Sequence, residues 1–325
     1  MSYIMKAVCL LVLLVCILIL SFNASGFSEE TVFELALGGA WFDTFLQDSI
    51  ANTNTSSTSE FYAWLNSKLL TLKIPAGLQD KSLDSETRTS LEIALAKELH
   101  SWIKKSLPRY SLVKGFELTN ASLHSQRQCF LQAVLLNSIL HGNKVKAAIA
   151  MVNVNEIGEE TNNGHAIVII KLSNGNDIIL DGSEPRPFLR HQGLFICTPN
   201  GYLYAKPVYI MNSYQISYYN SNINSSTIPT SYVKSFDFNF LRSQFYYYRG
   251  EQVKNGSIAD KPTKKGLAAS ESYLKTAYQY CPANPLVSYL LAKTYTILGD
   301  ENAAKWTDNA KSIYASYGWI PPQLK

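Results

Sequence analysis

Three stretches decide the fold that the sequence predicts: Gln128-Cys129-Phe130-Leu131-Gln132-Ala133-Val134-Leu135-Leu136, Gly164-His165-Ala166-Ile167-Val168-Ile169 and Ile179-Leu180-Asp181-Gly182. The first begins with a cysteine and continues as an apolar run, which predicts a helix buried in the core. His165 begins an apolar strand, and Asp181 ends the next one. Each polar residue therefore lies at an end of a regular element, where a rigid scaffold can orient it.

The order Cys129, His165, Asp181 predicts a nucleophilic cysteine site. A thiolate is the reactive form of a cysteine, and both a helix N-terminus and a neighbouring imidazole favour it. A carboxylate behind the imidazole holds the ring in one tautomer and orientation. Cys129, His165 and Asp181 are therefore the candidate residues of a Cys-His-Asp site.

The hairpin between the two strands places a geometric condition on this site. Asn174-Gly175 is a strong hairpin signal. A two-residue turn there would set Asp181 opposite Val168, so that Asp181 and His165 would point to opposite faces of the sheet. A three-residue loop or a bulge would oppose Asp181 to Ile167 and bring it to the face of His165. The triad therefore requires a three-residue loop or a bulge in this hairpin.

Taken together, residues 129–181 resemble the transglutaminase-like superfamily of cysteine enzymes. The matching residues are Cys129 to Leu140, Gly142, Val145-Lys146-Ala147, His165-Ala166 and Leu180-Asp181. The resemblance implies an α+β fold, in which a buried helix bearing the cysteine packs on an antiparallel sheet. It assigns nucleophile, base and orienting group to Cys129, His165 and Asp181. The chain departs from the family pattern at Arg127, where a glycine usually stands.

The resemblance implies an enzyme that acts on protein or peptide acyl groups through a thioester acyl-enzyme. With water as the acceptor it would be a peptidase or amidase, and with an amine it would be an acyltransferase of the transglutaminase type. The backbone N–H of Cys129 and the side chain of Gln126 or Gln128 are candidate oxyanion donors. The alternative is a non-catalytic protein-interaction module with the same fold. No cofactor is expected.

The N-terminus predicts export. Lys6 precedes an apolar run over residues 7–20, and Ala24 and Gly26 are small residues placed where a signal peptidase would cleave. An uncleaved membrane anchor is the other interpretation, with the body of the protein outside the cytoplasm in both cases. We therefore expect a secreted, periplasmic or membrane-anchored protein that contacts the membrane only through this segment.

Composition limits the other function classes. The formal net charge of the 325 residues is only +4 and no run of lysine or arginine stands out, so nucleic-acid binding is not expected. The remaining histidines (His100, His124, His141 and His191) lack metal-ligand spacing to acidic or thiol partners, so a metal site is not expected either. Beyond the apolar run, Cys197 and Cys281 are either buried free thiols or a disulfide that leaves Cys129 free.

The sequence predicts four regions: a signal peptide or anchor at 1–26, a helical region at 27–110, a transglutaminase-like domain with a tyrosine-rich extension at 111–248, and a linker with repeats at 249–325. Within the last region, Tyr289, Leu291, Ala292, Tyr295 and Gly299 follow the spacing of tetratricopeptide repeats. They predict a helical hairpin that packs on the tyrosine-rich segment and offers a surface to a protein partner.

Overall fold

The computed structural model describes residues 40–55 and 57–325. The signal peptide or anchor predicted at 1–26 lies outside the described residues. In the part that precedes the candidate site, the structure holds α1 (Ala40–Thr53), α2 (Thr58–Leu69), α3 (Ser85–Ser106) and α4 (Leu118–His124), with the short strands β1 (Arg109–Tyr110) and β2 (Gln126–Arg127). Asp84 caps α3 by accepting hydrogen bonds from the amides of Glu86 and Thr87, as an N-cap aspartate does.

The cysteine-bearing helix, α5 (Cys129–Gly142), is buried along most of its length. Every residue from Cys129 to Leu140 is buried, which agrees with a sequence that is apolar on nearly all faces. The helix packs against the two strands that follow it, β3 (Ala147–Val154) and β4 (Glu160–Lys171).

The strands form a closed barrel. They are β3, β4, β5 (Asp177–Leu180), β6 (Gly193–Thr198), β7 (Gly201–Tyr209), β8 (Gln215–Ser221) and β9 (Thr227–Pro229), and every pairing among them is antiparallel. Their order is β5-β4-β3-β6-β7-β8-β9, and β5 also pairs with β8. That last pairing, Asp177 with Ile216 and Ile178 with Gln215, closes the six strands β3 to β8 into a barrel, and β9 pairs with β8 alone.

The predicted fold class is therefore wrong. The prediction was a transglutaminase-like α+β core with a sheet for the helix to pack on, N-terminal helices and one C-terminal tetratricopeptide-like hairpin. The structure is a mixture of helices and a closed antiparallel barrel, because β8 from the tyrosine-rich segment pairs with β5. In the C-terminal part, three successive helices stand where one hairpin was predicted: α7 (Lys264–Tyr280), α8 (Pro285–Leu298) and α9 (Asn302–Ser316).

Side-chain alternation divides the core into two. Ala148, Ala150 and Val152 of β3 belong to one apolar cluster with Ile167 and Ile169 of β4. The alternate residues of both strands belong to a larger cluster that includes α5 and the other helices. Neighbouring strand residues point to opposite faces, and here each set of alternate residues belongs to a buried cluster. Both faces of β3 and β4 are therefore buried, which explains their nearly continuous apolar sequences.

The C-terminal helices dock on the tyrosine-rich segment, as the sequence predicts. The amide of Tyr204 in β7 donates to the carbonyl oxygen of Tyr317 at 2.8 Å, and the Tyr204 ring lies 4.9 Å from that of Trp319 between centroids. Asn284, which caps α8, donates to Ser243 and Gln244 of α6 (Phe238–Glu251) in a buried contact. These ring contacts and hydrogen bonds hold the helices against the barrel.

Candidate active site

Cys129 is the first residue of α5, and its surroundings are set by the residue before it. The side-chain oxygen of Gln128 accepts a hydrogen bond from the amide of Phe130 at 3.0 Å and so caps the helix. Cys129 is 5% exposed and Gln128 is 3% exposed. The cysteine sulfur therefore lies at the N-terminal, positive end of a helix dipole, in a largely buried place.

The hairpin register brings His165 and Asp181 to one face. Val168 pairs with Leu180 and Ile169 with Ile179, the register that the triad hypothesis requires. Residues 173–175 form a three-residue loop, closed by a hydrogen bond of 2.9 Å from the amide of Leu172 to the carbonyl of Asn176. Gly175 has φ +89°, the left-handed conformation that glycine adopts without strain.

His165 and Asp181 form a direct hydrogen bond. The Nε2 atom of His165 lies 2.6 Å from Oδ2 of Asp181. The Asp181 side chain is fully buried, whereas that of His165 is 26% exposed. The imidazole is thus anchored from the protein interior and keeps a face open to solvent.

The Asp181 carboxylate has two further hydrogen bonds. Its Oδ1 atom accepts from the amide of Ser183 at 2.9 Å, and its Oδ2 atom also lies 3.2 Å from Nε2 of His191. The Asp181 amide donates to the carbonyl of Pro187, which holds the segment after β5 in place. A buried carboxylate with three donors around it has one defined orientation.

The charges of the site support one another. Burial lowers the pKa of His165, but the charge and hydrogen bond of Asp181, together with Cys129, outweigh burial and raise it well above 6.5. Burial raises the pKa of Asp181, but His165 and His191 outweigh that effect and lower it from 3.8. Both shifts favour a protonated imidazole beside an ionised carboxylate.

The sulfur and the imidazole are linked through the strand that bears the histidine. The Sγ atom of Cys129 lies 3.7 Å from the carbonyl oxygen of Gly164, the residue before His165. Because Nε2 of His165 bonds to Asp181, the other ring nitrogen, Nδ1, is the one left for the sulfur. Tyr248 of α6 donates to the same Gly164 carbonyl at 2.7 Å and so anchors the start of this segment.

The Asp181-Gly182 pair fits closely against the cysteine helix. A Cβ atom on Gly182 would lie 3.0 Å from Leu136 and 3.2 Å from the Oε1 atom of Gln132, so a larger residue would push this segment away from α5. The Gln132 side chain also donates to the Ser183 hydroxyl at 3.0 Å. The helix that supplies the cysteine therefore also positions the aspartate.

Arg127, where the family pattern has glycine, packs into the wall of the site. Its guanidinium donates to the carbonyl of Leu107, and its carbonyl accepts from the amide of Ser111 at 3.0 Å. Burial lowers the pKa of Arg127. On the same side, His100 and Lys104 of α3 both bond to the carbonyl oxygen of Glu184. Burial lowers the pKa of His100 and so favours its neutral form, and Arg127 and Lys104 are the cations in this wall of the site.

His191 is a site residue that the sequence analysis missed. It is 3% exposed, contacts Asp181 and lies just before β6. A histidine two residues before a buried strand and ten residues after the candidate aspartate is the signal that was available. His165, Asp181 and His191 offer ligand atoms within 4.8 Å of one another and are the described residues that could hold a metal ion. Their distances of 2.6 and 3.2 Å match hydrogen bonds.

The other cysteines have a different environment. Cys129, Cys197 and Cys281 are all free thiols. Burial raises the pKa of both Cys197 and Cys281 to about 11. Neither has a histidine partner in the described part of the chain, so both are expected to remain as thiols at neutral pH.

Comparison with known proteins gives a single kind of likeness. No family model matches the chain, and no curated protein matches it. Among solved structures, a crystal structure of menin, described as revealing its binding site for the Mixed Lineage Leukemia protein, matches with a TM-score of 0.44 and 10% sequence identity. The match covers 87% of this chain and 58% of the menin chain, so this chain spans under two thirds of the length of menin.

Among the described residues, no helix combines the length and apolar character needed to span a membrane.

Proposed function

We propose that the protein is a cysteine enzyme that acts on protein or peptide acyl groups through Cys129, His165 and Asp181. The observation that supports this most directly is the 2.6 Å hydrogen bond that Nε2 of His165 donates to the carboxylate of the fully buried Asp181. A lone histidine at the surface has no need of such a partner. In a triad, this bond sets the tautomer and orientation of the base.

The residues suit a two-step acyl transfer. The Cys129 thiolate attacks the substrate carbonyl carbon, a C–S bond forms, and the C–O π electrons move onto oxygen. The backbone N–H of Cys129 is the first of α5, and no group among the described residues accepts a hydrogen bond from it. It is therefore free to donate to this oxyanion. His165 gives its proton to the leaving amine as the C–N bond breaks, which leaves a thioester.

The second step returns the enzyme to its first state. His165, now neutral, takes a proton from water or from an acceptor amine, and the resulting nucleophile attacks the thioester carbonyl. The C–S bond then breaks, which releases the product and restores the Cys129 thiolate beside protonated His165. Water makes the reaction a hydrolysis and an amine makes it an acyl transfer. Chemistry like that of transglutaminase-like enzymes remains a proposal. It rests on Cys129, His165 and Asp181 alone, since the structure has a closed barrel where a transglutaminase-like sheet was predicted. Export through the N-terminal segment and partner binding by the C-terminal helices also remain proposals.

A non-catalytic binding module is the alternative, and one observation favours it. Cys129 is only 5% exposed, and a buried cysteine most often serves as a small apolar side chain. In this alternative the hydrogen bonds of His165 and Asp181 stabilise the barrel wall and have no chemical role. The two proposals differ in the reactivity of one thiol.

Alkylation of the folded protein distinguishes the two proposals. If exposure alone controls the rate, Cys197, the most accessible of the three, should react with iodoacetamide before Cys129 and Cys281. If Cys129 is activated, it should react first at neutral pH despite its burial, because burial raises the pKa of the other two to about 11. Peptide mapping reports each site separately, and labelling in guanidinium provides the unfolded control.

The variant His165→Asn tests the source of any reactivity. It removes the base and leaves the burial of Cys129 unchanged in first approximation. Loss of fast labelling at Cys129, with Cys197 and Cys281 unaffected, supports the triad. Equal and slow labelling of all three thiols in both the native and variant proteins would favour the binding module.

A further inference from the structure

A cavity of about 740 Å³ lies at the C-terminal end of the cysteine helix, opposite Cys129, and is lined by five cationic side chains. We name it the basic cavity and define it by Arg88, Lys144, Lys146, Lys171 and Lys234. These residues come from α3, from the loop after α5, from the end of β4 and from the segment after β9. The fold thus brings like charges together from four separate parts of the chain.

The basic cavity is distant from the triad. His165 precedes Lys171 by six residues in β4, which corresponds to about 20 Å along a strand. Cys129 and His141, which also lines the cavity, are separated along α5 by a similar distance of about 18 Å. A ligand in the basic cavity would therefore not touch the reacting groups, so the two sites are independent.

The acidic residues of the cavity do not neutralise it. Glu92 accepts from the amide and hydroxyl of Ser173 and from Arg88. The Asp177 carboxylate accepts from Lys171 at 2.7 Å and from Tyr219 at 2.7 Å. Both acids are already engaged with neighbours, and together they offset only two of the five positive charges.

The remaining three lysines have no acidic partner. Lys144, Lys146 and Lys234 are exposed, and among the described residues none has a carboxylate within salt-bridge distance. Like charges held close together raise the free energy of the folded state unless an anion joins them. This arrangement favours the binding of a multiply charged anion over that of a single carboxylate.

We propose that the basic cavity binds a phosphate-bearing ligand. Lysine ammonium groups are established point-charge partners of phosphate oxygens, and Arg88 adds a planar donor set. The volume lies within the usual range for small-molecule sites, roughly 300–1,000 Å³. Apolar wall residues such as Leu172 and Val233 accommodate an organic group attached to the phosphate. The phosphate can belong to a soluble molecule or to a lipid headgroup, and the experiment separates these sources.

Isothermal titration of the full chain with tripolyphosphate at low salt tests a soluble source. The triple variant Lys144→Gln/Lys146→Gln/Lys234→Gln should bind about 100-fold more weakly, since each lysine near an anion contributes about a factor of five. The matched control Lys261→Gln/Lys293→Gln/Lys311→Gln removes three exposed lysines elsewhere and should keep the native affinity within about twofold.

Cosedimentation with vesicles of phosphatidic acid and phosphatidylcholine, compared with phosphatidylcholine alone, tests a lipid source. The proposal is supported if the triple variant loses binding and the control variant keeps it. This result in the titration indicates a soluble ligand, and in the vesicle assay it indicates a lipid headgroup. The control variant also corrects for vesicle binding by the N-terminal segment. Absence of binding in both assays, or an equal loss in both variants, overturns the proposal. Circular dichroism verifies that each variant is folded.

Discussion

Asp181→Asn is the perturbation that tests the site most directly. The change keeps the shape of the side chain but replaces an oxygen acceptor with an amide donor at the atom that faces His165. To accept a hydrogen bond from that amide, Nε2 of His165 must lose its proton, and the proton of the neutral ring then lies on Nδ1. Because Nδ1 is the nitrogen left for the Cys129 sulfur, the ring can no longer take a proton from the thiol.

The size of the effect follows from the bonds that are lost. Hydrogen bonds to charged groups contribute about 1.5–3 kcal/mol each, and the 2.6 Å bond between His165 and Asp181 is short and fully buried on the carboxylate side. At about 1.4 kcal/mol for each factor of ten, its loss alone corresponds to a decrease of about 10- to 150-fold. The wrong tautomer adds to this, so we expect the alkylation rate of Cys129 at neutral pH to fall by about 100-fold or more.

The assay is iodoacetamide labelling followed by peptide mapping, with Asp48→Asn as the matched control. Asp48 is a partly buried aspartate with two hydrogen bonds to Arg242, at 2.7 and 2.9 Å, away from the triad. The control should change the labelling rate of Cys129 by less than about twofold. If Asp181→Asn is folded and labels Cys129 as fast as the native protein, the orienting role of Asp181 is refuted.

Three other perturbations follow from the structure. His165→Asn should lower the free energy of unfolding most below pH 6.5, because a raised histidine pKa stabilises the fold there and this contribution is lost as pH rises through the folded value; urea denaturation across pH 5–10 measures it. Gly182→Ala should cost about 1–3 kcal/mol by overpacking against α5 and slow the labelling of Cys129, as urea denaturation and alkylation would report. Deletion of 266–325 should lower the melting temperature by exposing apolar surface, whereas an unchanged value would indicate an independent module.

The parts of the site that the sequence predicted are those with a local cause. An apolar run after Cys129 specifies a buried helix, and an N-terminal cysteine on it follows from the sequence itself. The hairpin between β4 and β5 also has a local signal at Asn174-Gly175. The exact length of the loop has no such local signal, because two- and three-residue loops share the same turn residues and differ by one position in register. The pairing of Lys171 with Asp177 and the hydrogen bond from the amide of Leu172 to the carbonyl of Asn176 distinguish them once the backbone is known.

Closure of the barrel had no local cause and was not predicted. It depends on the pairing of Asp177 with Ile216, residues far apart in the sequence, and on β8, whose tyrosines also suit a helix interface or a packed strand. The alternation of apolar residues in β3 and β4 indicates burial on both faces, but helices or a second layer of sheet can bury a face equally well. Only the complete set of strand pairs decides between an open sheet and a barrel.

His191 could not be predicted as a site residue because strand pairing, and not its sequence neighbours, brings it to Asp181. Taken alone, it has no thiol or acidic neighbour in the sequence, and most single histidines are structural. The barrel brings β6 beside β3, and β3 lies beside the strand of His165, so His191, two residues before β6, lies beside Asp181. The buried carboxylate then has two imidazoles on one oxygen and a backbone amide on the other. Since an isolated buried carboxylate is costly, these donors explain why Asp181 is stable as an anion inside the fold, which the triad chemistry requires.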